Sequence, residues 1–295
     1  MNQSPSIVVI GATGMLGSRV TRVLHENGFD VTAAVRDPEK ARKMPQLEGM
    51  RITYADLSQP ETLETVMAGA DYLYINVSTA PDERNASFKT EIDGLSNAIR
   101  AAEKAGVQRI GFLSSLVKDY EAGWWVFDIK RKAVDLLRTC SLPITIFYPS
   151  SFFENLTELQ LKGNRVLIAG RQETQSWWIG TQDYGKMVAQ AFRQDHGENR
   201  EYTVQGPEPF SMDEAVDEFI DNVTSRNLKK LRTPMWVFRM LKPFSKTIDF
   251  QYNILNAINR YDEQFQSEVT WKELGKPKMT LSDFAHSFDE KQHSK

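Results

Sequence analysis

The chain has 295 residues, 41% hydrophobic and 25% charged, with a net charge of −3; this is the make-up of an ordinary globular protein, long enough for one large α/β domain or a domain with an appendage. That balance argues against a global attraction to nucleic acid, and no apolar run approaches the roughly 18 residues of a transmembrane helix. Cys140 is the only cysteine, which excludes an intramolecular disulfide, and Met1-Asn2-Gln3-Ser4-Pro5 carries no basic region, so a reducing, cytoplasmic setting is expected.

Ile7-Val8-Val9-Ile10 reads as a strand buried on both faces. Gly11-Ala12-Thr13-Gly14-Met15-Leu16-Gly17 follows, and Leu16, Val20, Val23 and Leu24 then form one stripe of an amphipathic helix. Strand, glycine turn and helix in this order make a phosphate-binding turn, in which the backbone approaches a pyrophosphate at a positive helix end. A glycine pattern alone would be weak evidence; here the flanking context is present. Asn27-Gly28 closes the helix, and Val31 to Val35 form a second buried strand ending at Arg36. An acid at this strand tip would hold a ribose 2′-hydroxyl, whereas an arginine suits a 2′-phosphate, so NADP(H) is the expected cofactor. Lys40, Arg42 and Lys43 fit a solvated basic helix equally well.

Arg51 to Ala55 is a third strand, tipped by Asp56 and Leu57, and Ser58 to Met67 a helix. Asp71 to Val77 is the fourth strand, running into Ser78-Thr79-Ala80-Pro81; a long helix is expected from Asn85 to Ala105, ended by Gly106. Val107 to Leu113 is the fifth strand and finishes in Ser114-Ser115. A helix from Val126 to Arg138 buries Ile129, Ala133, Leu136 and Leu137 and carries Lys130 beside that stripe. Ile144 to Tyr148 is the sixth strand, followed by the loop from Pro149 to Asn155. Alternation at this spacing predicts a doubly wound parallel α/β sheet of Rossmann type, with ligands beyond the carboxyl ends of its strands. Gly11 to Gly17, Arg36, Asp56, Asn76 to Ala80 and Ser114 then share one rim.

Further on the pattern loosens. Arg165 to Ala169 and Glu201 to Gln205 look like strands, Asp183 to Arg193 like a helix, and Ser211 with Glu214 like a capping box. Residues 222–247 hold seven Lys or Arg and no acid, interleaved with Trp236, Val237, Phe238, Met240, Leu241 and Phe244. This stretch reads as a lid helix over a pocket, with a membrane-surface or partner-binding segment as the alternative. Asp289 to Lys295 reads as a frayed tail. The expected organisation is a nucleotide-binding domain over 1–155, rejoined by 181–205, with 156–180 and 206–295 as a smaller, mostly helical substrate region.

Taken together, Gly11 to Gly17, Val35-Arg36-Asp37-Pro38, Ala55-Asp56-Leu57, Gly69-Ala70-Asp71, Ala102 to Gly106 and Leu142 to Asn155 resemble the atypical short-chain dehydrogenase/reductases. Within that group the likeness is to the NmrA-like and isoflavone-reductase-like families. The resemblance implies that Gly11, Thr13, Gly14, Met15, Leu16 and Gly17 hold the pyrophosphate and Arg36 the 2′-phosphate. It places Asp56 and Leu57 by the adenine, and Asn76, Val77 and Ser78 by the ribose of the nicotinamide half. Tyr148, Pro149, Ser150 and Phe152 would pack beside the nicotinamide. Phe127-Asp128-Ile129-Lys130 is similar to the segment carrying the catalytic lysine of isoflavone-reductase-like enzymes, which implies that role for Lys130, with a share in binding the ribose.

The broader superfamily uses Tyr-x-x-x-Lys, but Val126 stands four residues before Lys130 and has no proton to give. A lysine can serve as the acid instead, and Ser114 or Ser115 could hydrogen-bond a carbonyl. A salt-bridged helix lysine and a strand-ending serine are the plain alternatives. Trp124, Trp125, Phe152, Phe153, Trp177 and Trp178 suit a flat apolar substrate, or simply a core. The histidines His25, His196, His286 and His293 are scattered and Cys140 is alone, so no metal is expected; there is no Gly-x-Ser-x-Gly elbow of a hydrolase. Two readings remain. One is hydride transfer from NADPH to a small quinone, enone or carbonyl compound; the other is a non-catalytic NADP-binding sensor of the NmrA-like type, acting on a partner protein.

Overall fold

The computed structural model describes residues 4–120, 123–194 and 197–293. Strands and helices alternate through the first half as β1 (Ser6–Ile10), α1 (Met15–Glu26), β2 (Asp30–Val35), α2 (Pro38–Ala41), β3 (Arg51–Tyr54), α3 (Pro60–Met67), β4 (Tyr72–Ile75), α4 (Leu95–Ala105), β5 (Arg109–Leu113), α5 (Trp125–Arg138) and β6 (Ile144–Pro149). There follow β7 (Leu161–Lys162), β8 (Arg165–Ala169), β9 (Ser176–Trp178), α6 (Thr181–Arg193), β10 (Arg200–Val204), β11 (Glu208–Phe210), α7 (Met212–Asp221), β12 (Lys229–Thr233), α8 (Met235–Leu241), α9 (Lys246–Ile258), α10 (Glu268–Leu274) and α11 (Leu281–His293).

Seven strands form one parallel sheet in the order β10-β6-β5-β4-β1-β2-β3. Alternate residues of β1 face opposite ways, as a pleated strand requires. Ile7 and Val9 join Val20 and Leu24 of α1 and Tyr184, Val188 and Phe192 of α6. Val8 and Ile10 join Leu63 of α3, Leu95, Ala98 and Ala102 of α4, and Val134 and Leu137 of α5. Each such buried side chain contributes about 1.5–3 kcal/mol of burial free energy, so covering both faces fixes the strand register. The doubly wound sheet expected from the sequence is the one observed. Strand order reverses between β1 and β4, and a crevice opens at that reversal.

A second cluster lies beyond β6. Phe153, Val166, Ile168 and Trp178 pack with Ala215, Val216 and Phe219 of α7 and with Leu281 and Ala285 of α11. Ser211 caps α7 by accepting from Glu214 N, and the Glu214 carboxylate accepts from Ser211 N at 2.7 Å, so the capping box is present.

Three expected segments differ. The helix expected over 85–105 starts as an α-helix only at Leu95, preceded by a π-helical turn at Thr90–Gly94. The carboxylates of Glu83 and Asp93 take the backbone N–H groups of Thr90 and Lys89 at 2.9 and 2.8 Å and so interrupt an earlier start. The lid helix expected over 222–247 is instead β12, which pairs in parallel with β8, followed by the short α8. Finally, Asp289 is no part of a frayed tail. It lies in α11, is 6% exposed, and accepts from Thr224 N at 3.0 Å and Ser225 N at 2.9 Å.

Candidate functional site

At the crevice, Gly11 sits at φ +88° and a Cβ there would fall 1.9 Å from Asn76 O. A Cβ on Gly17 would fall 2.1 Å from Gly11 O. Both glycines are therefore demanded by the backbone: one by the turn and the passage of β4, the other by the seating of α1 on the turn. Gly14 is different. It is exposed, and a Cβ on it would meet only Gly11 O, at 3.3 Å. Its N–H donates to Gly11 O and its carbonyl accepts from Ser18 N, each at 3.0 Å, so the groups left to meet an anion are the first N–H groups of α1, which has no side-chain cap and no acid in its first turn. An uncompensated helix end beside an accessible glycine turn is a ready anion site.

The crevice has a volume of about 320 Å³. Gly11, Thr13 and Gly14 line it from the turn, Arg36 from β2, Asp56 and Leu57 from β3, and Asn76, Val77 and Ser78 from β4. The structure thus brings these nine predicted residues together. Met15, Leu16 and Gly17 belong to the same turn but do not line the crevice; Leu16 packs toward the core and Gly17 is buried. Arg36 is exposed and has no ion-pair partner among the described residues. Arg42 pairs with Glu39, and Lys40, Arg42 and Lys43 stay outside the crevice. Asp56 is engaged locally, accepting from Ser58 N at 2.8 Å. Asn76 Nδ2 and Ser114 Oγ are buried with no hydrogen-bond partner among the described residues; Asn76 lines the crevice, so its amide can still serve a ligand, whereas Ser114 is 3% exposed and is not among the lining residues. The donor set fits a dinucleotide: backbone N–H groups for phosphate, a guanidinium at the rim, and unspent polar atoms on the neighbouring strand ends.

Lys130 is not among the residues that line this crevice; it is linked to the crevice loop through Glu91 and then Thr79. Its Nζ donates to Glu91 Oε1 at 2.9 Å, and Glu91 Oε2 accepts from Thr79 N at 2.8 Å and Thr79 Oγ1 at 2.6 Å. Glu91 is fully buried and Lys130 is 12% exposed at its side chain. The π-helical turn and α5 are thereby tied to the residue that follows Ser78. Nothing in the local sequence marked Glu91 or Thr79, because an acid near a helix start is ordinary. Val126, four residues before Lys130, is buried beside Trp124 and Phe127.

A second cavity of about 130 Å³ lies further along the rim, lined by Ser115, Pro149, Ser150, Tyr261 and Glu263 among others. Glu263 accepts from Ser150 Oγ at 2.7 Å, Gln205 Nε2 at 2.7 Å and Trp177 N at 3.1 Å. Burial pushes its carboxyl above the ordinary range, against the pull of those donors. Tyr261 is likewise raised by burial. Both arrive from the far end of the chain, beyond the reach of any motif.

Other predicted residues sit elsewhere. Tyr148 donates to Glu201 at 2.8 Å and lies under Lys118, with the sheet core on its inner side. Phe152 is in the core, edge-on to Tyr184 at 5.4 Å. Trp178 is buried and bonds Phe210 O, Trp177 packs on Phe265, and Trp124 packs on Phe127 and Phe250. The aromatic residues expected around a flat substrate are thus mostly core; Trp125 lines an outer groove with Phe250. Among the described residues no group of three or more His, Cys, Asp or Glu could hold a metal ion, and His196 lies outside them.

A parallel sheet with an open glycine turn at its switch point, and unspent donors on the adjacent strand ends, defines a dinucleotide-type fold. The chain belongs to the NmrA-like family, which it matches over residues 3–285. It is similar to the photosystem II assembly factor Ycf39 of Synechocystis sp., 26% identical over 251 residues that cover 84% of this chain and 76% of the relative. It is also similar to an NAD(P)H azoreductase of Xenophilus azovorans, 27% identical over 213 residues, covering 70% and 69%. The fold superposes on the NADPH-dependent quinone oxidoreductase QOR2 of Escherichia coli complexed with NADPH. The TM-score is 0.73 and the identity 20%, over 96% of this chain and 99% of that one.

Proposed function

We propose that the chain is a cytoplasmic NAD(P)-binding reductase that prefers NADP(H) and reduces a small quinone, enone or carbonyl compound. The observation that carries this reading is Arg36: an exposed guanidinium without an ion-pair partner among the described residues, at the rim of a crevice floored by a glycine turn. The names of an azoreductase relative and of a quinone oxidoreductase of the same fold support the reaction class. When bound, the nicotinamide supplies the reducing equivalents. The chain supplies the rest. Thr13, Gly14 and the N-terminus of α1 take the pyrophosphate, Arg36 the 2′-phosphate, and Asn76 to Ser78 the ribose of the nicotinamide half. Ser114 Oγ, lacking a partner, donates to a substrate oxygen. Lys130, positioned by Glu91, holds ribose hydroxyls and delivers the proton. Val126 favours one other reading, a non-catalytic NADP-binding sensor that acts on a partner protein, because the usual tyrosine is missing there.

A panel of quinones, enones and dyes assayed with NADPH and with NADH separates the two. Oxidation of NADPH with at least one acceptor is expected. The rate at saturating NADPH should fall at least about tenfold in Lys130→Ala, with NADPH binding weakened but still measurable through the remaining contacts, since general acid catalysis contributes about 10²–10⁴-fold. Full rate in that variant would remove Lys130 from the chemistry. Tight NADPH binding with no acceptor turned over would establish the sensor.

A further inference from the structure

One face of the molecule takes no part in the crevice or the second core. No residue of α8 is buried. Trp236, Met240 and Phe244 recur every four residues and are 61%, 63% and 86% exposed, with Leu241 beside them at 46%. Elsewhere among the described residues, exposed large hydrophobics are scattered singly, as on any surface. Packing on α9 leaves this row uncovered. Charge is gathered at the same place. Arg239 and Lys246 are exposed within or next to the row, and Lys242 lies over the Tyr252 ring, 3.8 Å from Asp249. Alongside is a basin of about 510 Å³ lined by Arg171, Arg232, Arg239, Arg260 and Trp236. Arg232 is committed to Asp213, and Glu173 is the acid in the lining. Arg171, Arg239 and Arg260 have no ion-pair partner among the described residues.

Of the seven bases in residues 222–247, Lys230 and Arg232 pair with Asp213 and Asp217 and Lys242 lies by Asp249, so the positive charge of this face comes from Arg239 and Lys246 together with Arg171 and Arg260, which have no ion-pair partner among the described residues. Aromatic and aliphatic side chains projecting between bases match the two layers of a lipid interface: acyl boundary for the first, phosphate for the second. A second copy is a poor occupant. A two-fold contact through this face would bring two like-charged patches together. We propose that this face docks on an anionic phospholipid bilayer, Trp236, Met240, Leu241 and Phe244 entering the acyl boundary and the arginine basin receiving headgroup phosphates. This goes beyond the reductase reading and does not depend on it.

Co-sedimentation with vesicles tests it, using phosphatidylglycerol and phosphatidylcholine in equal parts against phosphatidylcholine alone. The wild-type chain should pellet with the mixed vesicles, only weakly with the neutral ones, and less as salt rises. Trp236→Ser with Phe244→Ser leaves every charge in place and should abolish pelleting. Arg171→Glu with Arg239→Glu leaves the apolar row and should weaken it about tenfold or more. Because these side chains are exposed, the variants should keep the wild-type melting curve and NADPH affinity, which separates failed docking from failed folding. Equal pelleting with neutral vesicles, no pelleting at all, or pelleting that survives the Trp236/Phe244 double substitution overturns the proposal. So does a lipid-free dimer in sedimentation velocity that the same double substitution dissolves.

Discussion

Arg36 and Gly14 carry the nucleotide assignment, and for different physical reasons. Gly11 and Gly17 would be required in this fold with no ligand at all, since a methyl group on either would strike backbone. Gly14 is less constrained, a Cβ there meeting Gly11 O at 3.3 Å, and what speaks for a phosphate is its exposed place just before the uncapped N-terminus of α1. In the proposed reading Arg36 discriminates between cofactors. Hydrogen bonds to a charged group are worth about 1.5–3 kcal/mol, but Arg36 is exposed and screened by solvent, which favours the low end. Arg36→Ala should therefore weaken NADPH binding about tenfold and leave NADH binding nearly unchanged. Nucleotide fluorescence titrations of both proteins measure this directly. If the wild-type chain binds NADH as well as NADPH, Arg36 is a surface residue and the preference assigned to it disappears.

Glu91 shows how an irregular element can serve a site. The π-helical turn at Thr90–Gly94 carries the Glu91 carboxylate to Thr79, beside the crevice loop, and to Lys130 on α5. Removing one partner of a buried pair leaves the other charge stranded and costs about 3–5 kcal/mol, while removing both costs much less. Lys130→Met and Glu91→Gln should each lower stability by about 3 kcal/mol, and the double variant by clearly less than their sum, as read by urea unfolding. Strict additivity would mean that the contact contributes nothing. The sequence hid this arrangement because the apolar spacing around Leu95 and Ala98 is helical, and nothing local reveals that Glu83 and Asp93 capture the N–H groups upstream. By contrast β1, the turn, α1 and β2 were legible, since strands buried on both faces give unbroken apolar runs and the turn gives three glycines. Residues 222–247 misled for another reason. β12 exists because β8 is there to pair with it, and Lys229-Lys230-Leu231-Arg232 has no alternation of its own to announce a strand. Tyr261 and Glu263 could not be read at all, because only the tertiary fold brings them to Ser150.

The two cores are joined by long-range returns of the chain, and the last helix closes the second of them. Leu281 and Ala285 bury α11 against α7, and Asp289 fastens it to the turn after α7 through Thr224 and Ser225. Donation chiefly from the Ser225 hydroxyl, then from the Ser225 and Thr224 N–H groups, holds the Asp289 carboxyl well below its ordinary range. A carboxyl lowered in the folded state adds stability above its unfolded pKa of about 3.9 and loses it as pH falls through the folded value. Glu154 and Glu263, raised by burial, act with the opposite sign: their protonated forms are favoured, so they take stability away as pH rises through their folded values. They are common to wild type and variant and cancel in a comparison. Asp289→Ala should therefore melt at a lower temperature than wild type near neutral pH, and the gap should narrow as pH drops below about 4. Thermal melts of both proteins at about pH 6 and about pH 3 measure the gap, and a gap of equal size at both values would show that α11 is held by packing alone.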